Sequence, residues 1–203
     1  MQLLTLPPSP ALATSIRATA QVFEDPKSQA LLAHIQQVAP SEASVLIIGE
    51  TGTGKELVAR ACHAISARHS APFLALNCAA LPENLAESEL FGYAPGAFTG
   101  AQRGGKPGLM ELANQGTVFL DEIGEMSPYL QAKLLRFLND GSLRRVAGDR
   151  EVKDHVRILS APHRDLEKLV SAGTFRDDLF YRLPAPNVRV PPLRARGRGF
   201  LFR

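Results

Sequence analysis

Apolar residues cluster in short runs spaced along the chain. Val45-Leu-Ile-Ile48 is mostly β-branched and predicts a buried strand. Leu57, Val58, Ala61 and Ile65 follow at helical spacing. Phe73–Leu76 predicts a second buried strand ending at Asn77, Thr117–Leu120 a third, Val156–Ser160 a fourth, and Asn187–Val190 is a candidate fifth. Between them lie helical patterns. Asp25-Pro26 starts one that places Leu31, Ile35 and Val38 on one face before Pro40 stops it. Pro82 opens an acid-rich helix (Glu83, Glu87, Glu89) carrying Leu85, Leu90 and Phe91, and Leu109–Ala113 resumes a helical pattern. Ser127-Pro128 starts the clearest helix, with Leu130, Leu134, Phe137 and Leu138 on one face and Gly141 at its end. A short one runs from Asp165 to Val170, with Gly173 beyond it. Strands alternating with helices predict an α/β fold, a parallel sheet with helices on both faces.

Two stretches break the pattern. Leu6-Pro-Pro-Ser-Pro10 excludes regular structure, so residues 1–21 read as a linker or the stub of an upstream domain. Gly92–Ala101 and Gly104–Gly108 form a glycine- and proline-rich excursion expected to be mobile rather than part of the core.

Composition narrows the class. With 45% apolar residues among 203, the chain can bury one sizeable core. The net charge of +3 is concentrated in a tail containing Arg194, Arg196, Arg198 and Arg203, which reads as solvated rather than as a nucleic-acid surface. Cys62 and Cys78 lack metal-type spacing and are expected to be small buried residues of a reduced, cytoplasmic protein. No apolar run is long enough for a membrane span, no signal peptide precedes the first strand, and no histidine pair has zinc-hydrolase spacing.

The candidate chemistry sits at strand ends. Gly49-Glu-Thr-Gly-Thr-Gly-Lys55 joins the first strand to its helix, the context a phosphate-binding loop requires. Glycines turn backbone N–H groups inward, the helix start adds unpaired donors, and Lys55 supplies a point charge for β- and γ-phosphates. Glu56 stands where a hydroxyl residue usually ligates Mg2+. Asp121-Glu122 ends the third strand. Such a pair can cap a helix, but together with the phosphate loop it suits Mg2+ binding by Asp121 and water activation by Glu122.

These motifs, with Glu87-Ser-Glu-Leu-Phe-Gly92, Gly96-Ala-Phe-Thr-Gly-Ala101, Thr117–Met126, Phe175-Arg-Asp-Asp-Leu-Phe-Tyr-Arg-Leu183 and Pro191-Pro-Leu-Arg194, resemble the central AAA+ ATPase domain of bacterial sigma-54-dependent transcriptional activators. The likeness covers about residues 22–194, and Glu56 is normal in that family. Leu76-Asn-Cys-Ala and Gln131–Gly141 are also similar to the TyrR/PhhR-type, aromatic-amino-acid-responsive regulators.

The resemblance implies a three-layer P-loop core, ATP and Mg2+ as cofactors, and ATP hydrolysis that remodels sigma-54 RNA polymerase holoenzyme for promoter opening. It implies nucleotide contacts at Gly49, Glu50, Thr51, Gly52, Thr53, Gly54, Lys55, Glu56, Gly116, Asp121 and Glu122. Asn77 would restrain Glu122 as a switch, His163 would be the first sensor, and Arg176 and Arg182 would be arginine fingers acting on a neighbouring subunit. Gly96, Ala97, Phe98, Thr99, Gly100 and Ala101 would form the loop tip that touches sigma-54, with Phe98 as its apolar anchor. A hexameric ring is expected, with DNA bound only through a C-terminal domain absent here.

Pro162 and Pro184–Asn187 depart from the family pattern. The tail over 195–203 departs further and reads as a truncation or shifted frame that omits the helical lid. A TyrR-like regulator with little ATPase activity and an inactive fragment are the alternative expectations.

Overall fold

A computed structural model describes residues 26–183 and 186–195. The expectations for the 1–21 stub, the Asp25 cap, Pro184 and the tail beyond Ala195 lie outside the described residues.

In chain order the elements are α1 (Pro26–Val38), β1 (Val45–Ile48), α2 (Lys55–Ile65), β2 (Phe73–Asn77), α3 (Glu83–Phe91), β3 (Gly92–Tyr93), β4 (Lys106–Pro107), α4 (Leu109–Leu112) and β5 (Thr117–Asp121). After a 3-10 turn over Ile123–Glu125 come α5 (Pro128–Asp140), β6 (Ser142–Arg144), β7 (Glu151–Lys153), β8 (Arg157–Ala161), α6 (Leu166–Ser171), α7 (Asp177–Arg182) and β9 (Asn187–Arg189), and a second 3-10 turn covers Leu193–Ala195.

Five strands form one parallel sheet in the order β2-β5-β8-β1-β9. Alternation of side chains divides its apolar residues between two faces. Leu46, Val118, Leu120 and Ile158 pack with α3, α5 and α7 through Leu90, Leu134 and Leu179. Val45, Ile47, Phe119 and Leu159 pack instead with Leu31 and Ile35 of α1 and Val58 and Cys62 of α2. The sheet is thus the middle of three layers, as the strand–helix alternation predicts.

Some expectations need correction. β2 is an edge strand, so its residues are only partly covered rather than buried. Leu57, Ile65 and Leu85 share helical spacing with core residues but point to solvent; Val58, Ala61, Ala86 and Leu90 do the packing. The glycine-rich excursion is tethered at its base. β3 and β4 pair antiparallel, Ala94 N–H donates to Val146 O at 2.9 Å, and the Phe98 ring lies 4.9 Å from that of buried Tyr93. Gly92 is obligatory there: it has φ 72° and ψ 180°, and a Cβ would fall 2.4–2.9 Å from the backbone of 106–108.

Three buried side chains at the amino ends of the strands, Arg157, Arg68 and His63, are hydrogen-bonded. Arg157 is buried and donates to the carbonyls of Val38, Ala39 and Ala43, closing the end of α1. Arg68 donates to Glu42 and to the Gly116 and His155 carbonyls. His63 Nδ1 lies 2.9 Å from Thr117 Oγ1, and burial pushes its pKa down to about 4.

Candidate functional site

The connections from β1 and β8 run in opposite directions, so their carboxyl ends flank a topological switch point. The loop after β1 curls there. A Cβ on Gly49 would meet Thr53 Oγ1 at 2.9 Å and Val190 Cβ at 3.0 Å, so only glycine fits under the passing end of β9. Gly52 and Gly54 take left-handed φ of 76° and 85°. Thr53 is buried and its hydroxyl donates to Glu50 O at 2.7 Å. The Lys55 ammonium is drawn into the curl, donating to Gly49 O and Glu50 O at 3.2 Å each. Phosphate oxygens, being charged acceptors, would displace these neutral carbonyls. Glu56 turns away on the surface of α2 and pairs with Arg60. Glu50 points outward too, its carboxylate forked on Arg194 at 2.7 Å through both oxygens, which holds its pKa below the usual range.

Asp121 ends β5 in register with Asn77 of β2 and Ala161 of β8. Its Oδ1 accepts the Glu122 N–H at 3.0 Å. Glu122 has φ 53° and ψ 42°, a left-handed conformation that costs a non-glycine residue of order 1 kcal/mol or more. Neighbouring Cys78 is buried, and burial together with the Asp121 and Glu122 carboxylates pushes its thiol up to about 12. It is therefore a neutral packing residue beside the acidic pair.

Asn77 reaches the same edge, yet its Oδ1 accepts the Ala79 N–H at 2.8 Å, and no hydrogen bond joins it to Glu122 among the described residues. His163, two residues past β8, lies 3.7 Å from the Glu125 carboxylate, with Arg164 at 3.3 Å from the same oxygen.

Gly116 is placed elsewhere. It precedes Thr117 at the amino end of β5, where its carbonyl accepts from Arg68 and from the Arg157 N–H. The five-residue strand separates it from Asp121, so it lies at the opposite end of β5 from the acidic pair.

Arg176 and Arg182 bracket α7. Arg176 is forked on Asp178 at 2.9 and 2.6 Å, and Arg182 donates to Leu138 O at 3.0 Å near the end of α5. Arg182 also lines an open cavity of about 820 Å³ at the amino end of the sheet, away from the phosphate loop. Gly96–Ala101 stands out from the core, with Phe98 47% exposed.

Three residues that stand within the quoted motifs have contacts here to which the sequence assigned no role: Asp178, Arg194 and Gln131. Gln131 is fully buried, and its carboxamide joins the turn after Glu122 to the segment leading into Arg176. The available signal was one polar residue in line with Leu134 and Leu138 on an otherwise apolar face.

No cluster of three or more metal-ligating side chains occurs among the described residues. Mg2+ in a triphosphate site takes one or two carboxylates, with the phosphates and water as its other ligands. The adjacent Asp121 and Glu122 carboxylates fit that requirement.

The arrangement has known counterparts. Residues 21–189 match the family model described as Sigma-54 interaction domain. The Sigma54-dependent transcriptional regulator SfnR of Pseudomonas fluorescens (strain Pf0-1) is 62% identical over 196 residues, covering 97% of this chain and 53% of that protein. The HTH-type transcriptional regulatory protein TyrR of Enterobacter agglomerans is 54% identical over 171 residues, covering 84% of this chain and 33% of that protein. The crystal structure of NtrX from Brucella abortus in complex with ATP superposes with a TM-score of 0.78 at 37% identity, covering 92% of this chain and 43% of that one. The chain thus spans about half the length of the SfnR relative. On the strength of this match, the chain belongs to the Sigma-54 interaction domain family.

Proposed function

We propose that residues 22–194 are the ATP-binding and ATP-hydrolysing core of a sigma-54-dependent transcriptional regulator. The observation that carries this reading is the convergence of the Gly49–Lys55 curl and the Asp121-Glu122 pair on one sheet edge. The relative NtrX has been crystallised with ATP, which supports the same ligand here.

In this reading the N–H groups of 52–56 and the Lys55 ammonium bind the phosphates. Asp121 holds Mg2+, which when bound neutralises charge on the phosphate oxygens. Glu122 orients the attacking water and accepts its proton, and His163 senses the terminal phosphate, while Asn77 restrains Glu122 once its carboxamide turns from the Ala79 N–H it holds in this structure. Arg176 and Arg182 act on a neighbouring subunit, so hydrolysis depends on self-association into a ring. The Gly96–Ala101 tip docks on sigma-54 through the exposed part of Phe98. DNA contact and choice of promoter belong to other parts of the regulator.

The test is a pair of variants. Lys55→Ala is expected to abolish ATP binding by titration calorimetry. Glu122→Gln is expected to keep binding within a few-fold and to lower turnover by at least about a hundredfold. ATP binding by Lys55→Ala equal to that of the parent chain would refute the site. Retention of sigma-54 in the presence of an ATP transition-state mimic tests the partner, and its loss in Phe98→Ala tests the tip.

A further inference from the structure

Gln131 occupies an unusual position between the two halves of the proposed reaction centre. It is fully buried in α5, three residues after the Pro128 start. Its Nε2 donates to Met126 O at 2.7 Å and to Thr174 O at 3.1 Å, and its Oε1 accepts the Arg176 N–H at 2.8 Å. Met126 closes the 3-10 turn that begins at Glu122, its N–H bonded to Ile123 O. Arg176 caps the start of α7.

One carboxamide therefore ties the backbone beside the acidic pair to the backbone that aims Arg176. A methionine of similar length would fill the space, so packing alone does not require glutamine. Three backbone groups do, Met126 O in the interior and Thr174 O and the Arg176 N–H partly buried, because each would otherwise lose this partner. Arg176 itself is tethered to Asp178 on its own helix, so the orientation of α7 sets the direction of the guanidinium.

We propose that Gln131 is a positioning residue that couples nucleotide occupancy at the Asp121-Glu122 turn to the placement of Arg176. Ordering of the turn on binding shifts Met126 O, the carboxamide follows, and the 174–176 backbone moves with it. Each subunit thereby reports its own occupancy to the neighbour that its arginine serves. The proposal rests on the reading of Arg176 as a residue that acts between subunits.

The test is amide hydrogen exchange of the intact chain with and without Mg2+ and ADP, followed by mass spectrometry of peptides covering 49–60 and 174–179. In the parent chain nucleotide is expected to slow exchange in both. In Gln131→Met the response at 49–60 is expected to persist and that at 174–179 to be lost. Gln131→Glu, which keeps the acceptor for Arg176 and removes the donors, is expected to behave likewise and serves if the Met variant does not fold. A purely structural role raises exchange at 174–179 with and without nucleotide alike, leaving the response intact, and that outcome overturns the proposal. So does a parent chain that responds only at 49–60, or a variant that loses both responses. No response anywhere in the parent refutes nucleotide binding itself and takes this proposal with it. Unchanged turnover in Arg176→Ala instead removes the intersubunit role of Arg176 alone, leaving the measured coupling in place.

Discussion

His63 is held in its neutral form by burial against β2 and β5, with a folded pKa of about 4 against an ordinary value of 6.5. The sign follows from linkage. Between those values the unfolded chain binds a proton that the folded chain refuses, so stability is complete above 6.5 and falls as pH drops through the window. The slope approaches about 1.4 kcal/mol per pH unit. Urea denaturation at a series of pH values should show it, and His63→Gln should flatten it. Arg157 makes a second residue-scale case. It is buried with three carbonyls as its acceptors, and burial lowers its pKa. Removing the guanidinium relieves a buried charge but strands those carbonyls, and the second effect is the larger because α1 ends on them. Arg157→Met is expected to cost about 1–3 kcal/mol in the same denaturation assay, without changing the phosphate-loop residues.

At the scale of elements, the tethered excursion gives the clearest prediction. Gly92 joins α3 to β3 in a backbone region that only glycine occupies readily, with β4 pressed against it. Gly92→Ala should cost about 1–3 kcal/mol and unpair β3 from β4. Faster proteolysis within 94–105 at unchanged ATP affinity would report it. The start of α5 is fixed by Ser127, whose hydroxyl oxygen accepts the Leu130 N–H at 3.3 Å and whose hydroxyl donates to Glu83 at 2.8 Å. Ser127→Ala is expected to lower stability by about 1 kcal/mol, read from the denaturation midpoint.

These elements also show what the sequence could reveal. β1 and β5 were legible because strands covered on both faces read as short apolar runs, and β8 was legible more weakly, from Val156, Ile158 and Leu159 around Arg157. α5 was legible from its cap, its proline and its closing glycine. β3, β4, β6 and β7 have two or three residues each, too few for any periodicity, and exist only through their partners. The exposure of Leu57 depends on which side of α2 meets the sheet, which spacing alone does not state. Within the candidate site, the phosphate loop and Asp121-Glu122 were readable because their chemistry is local in sequence. The link made by Gln131 was not, because its partners lie 5, 43 and 45 residues away.

At the scale of the whole molecule, the proposed division of labour between subunits predicts complementation. Lys55→Ala loses its own nucleotide but keeps Arg176, whereas Arg176→Ala keeps the nucleotide site but offers no arginine. Each alone is expected to show little turnover. An equimolar mixture should recover a fraction of the parent rate, rising with total protein concentration, as measured by phosphate release. Additive rates in the mixture would place both residues in a single subunit's site.

The strand order has a consequence for biogenesis. Among the described residues β1 is paired only with β8 and β9, which lie more than a hundred residues downstream, and β2 only with β5. A nascent polypeptide leaving the ribosome exposes both hydrogen-bonding rims of β1 until residue 161 has emerged. Pairing over such separations is slow, and unpaired apolar strands invite aggregation. Stalled or prematurely released products ending before β8 should therefore depend on chaperones rather than accumulate as folded halves.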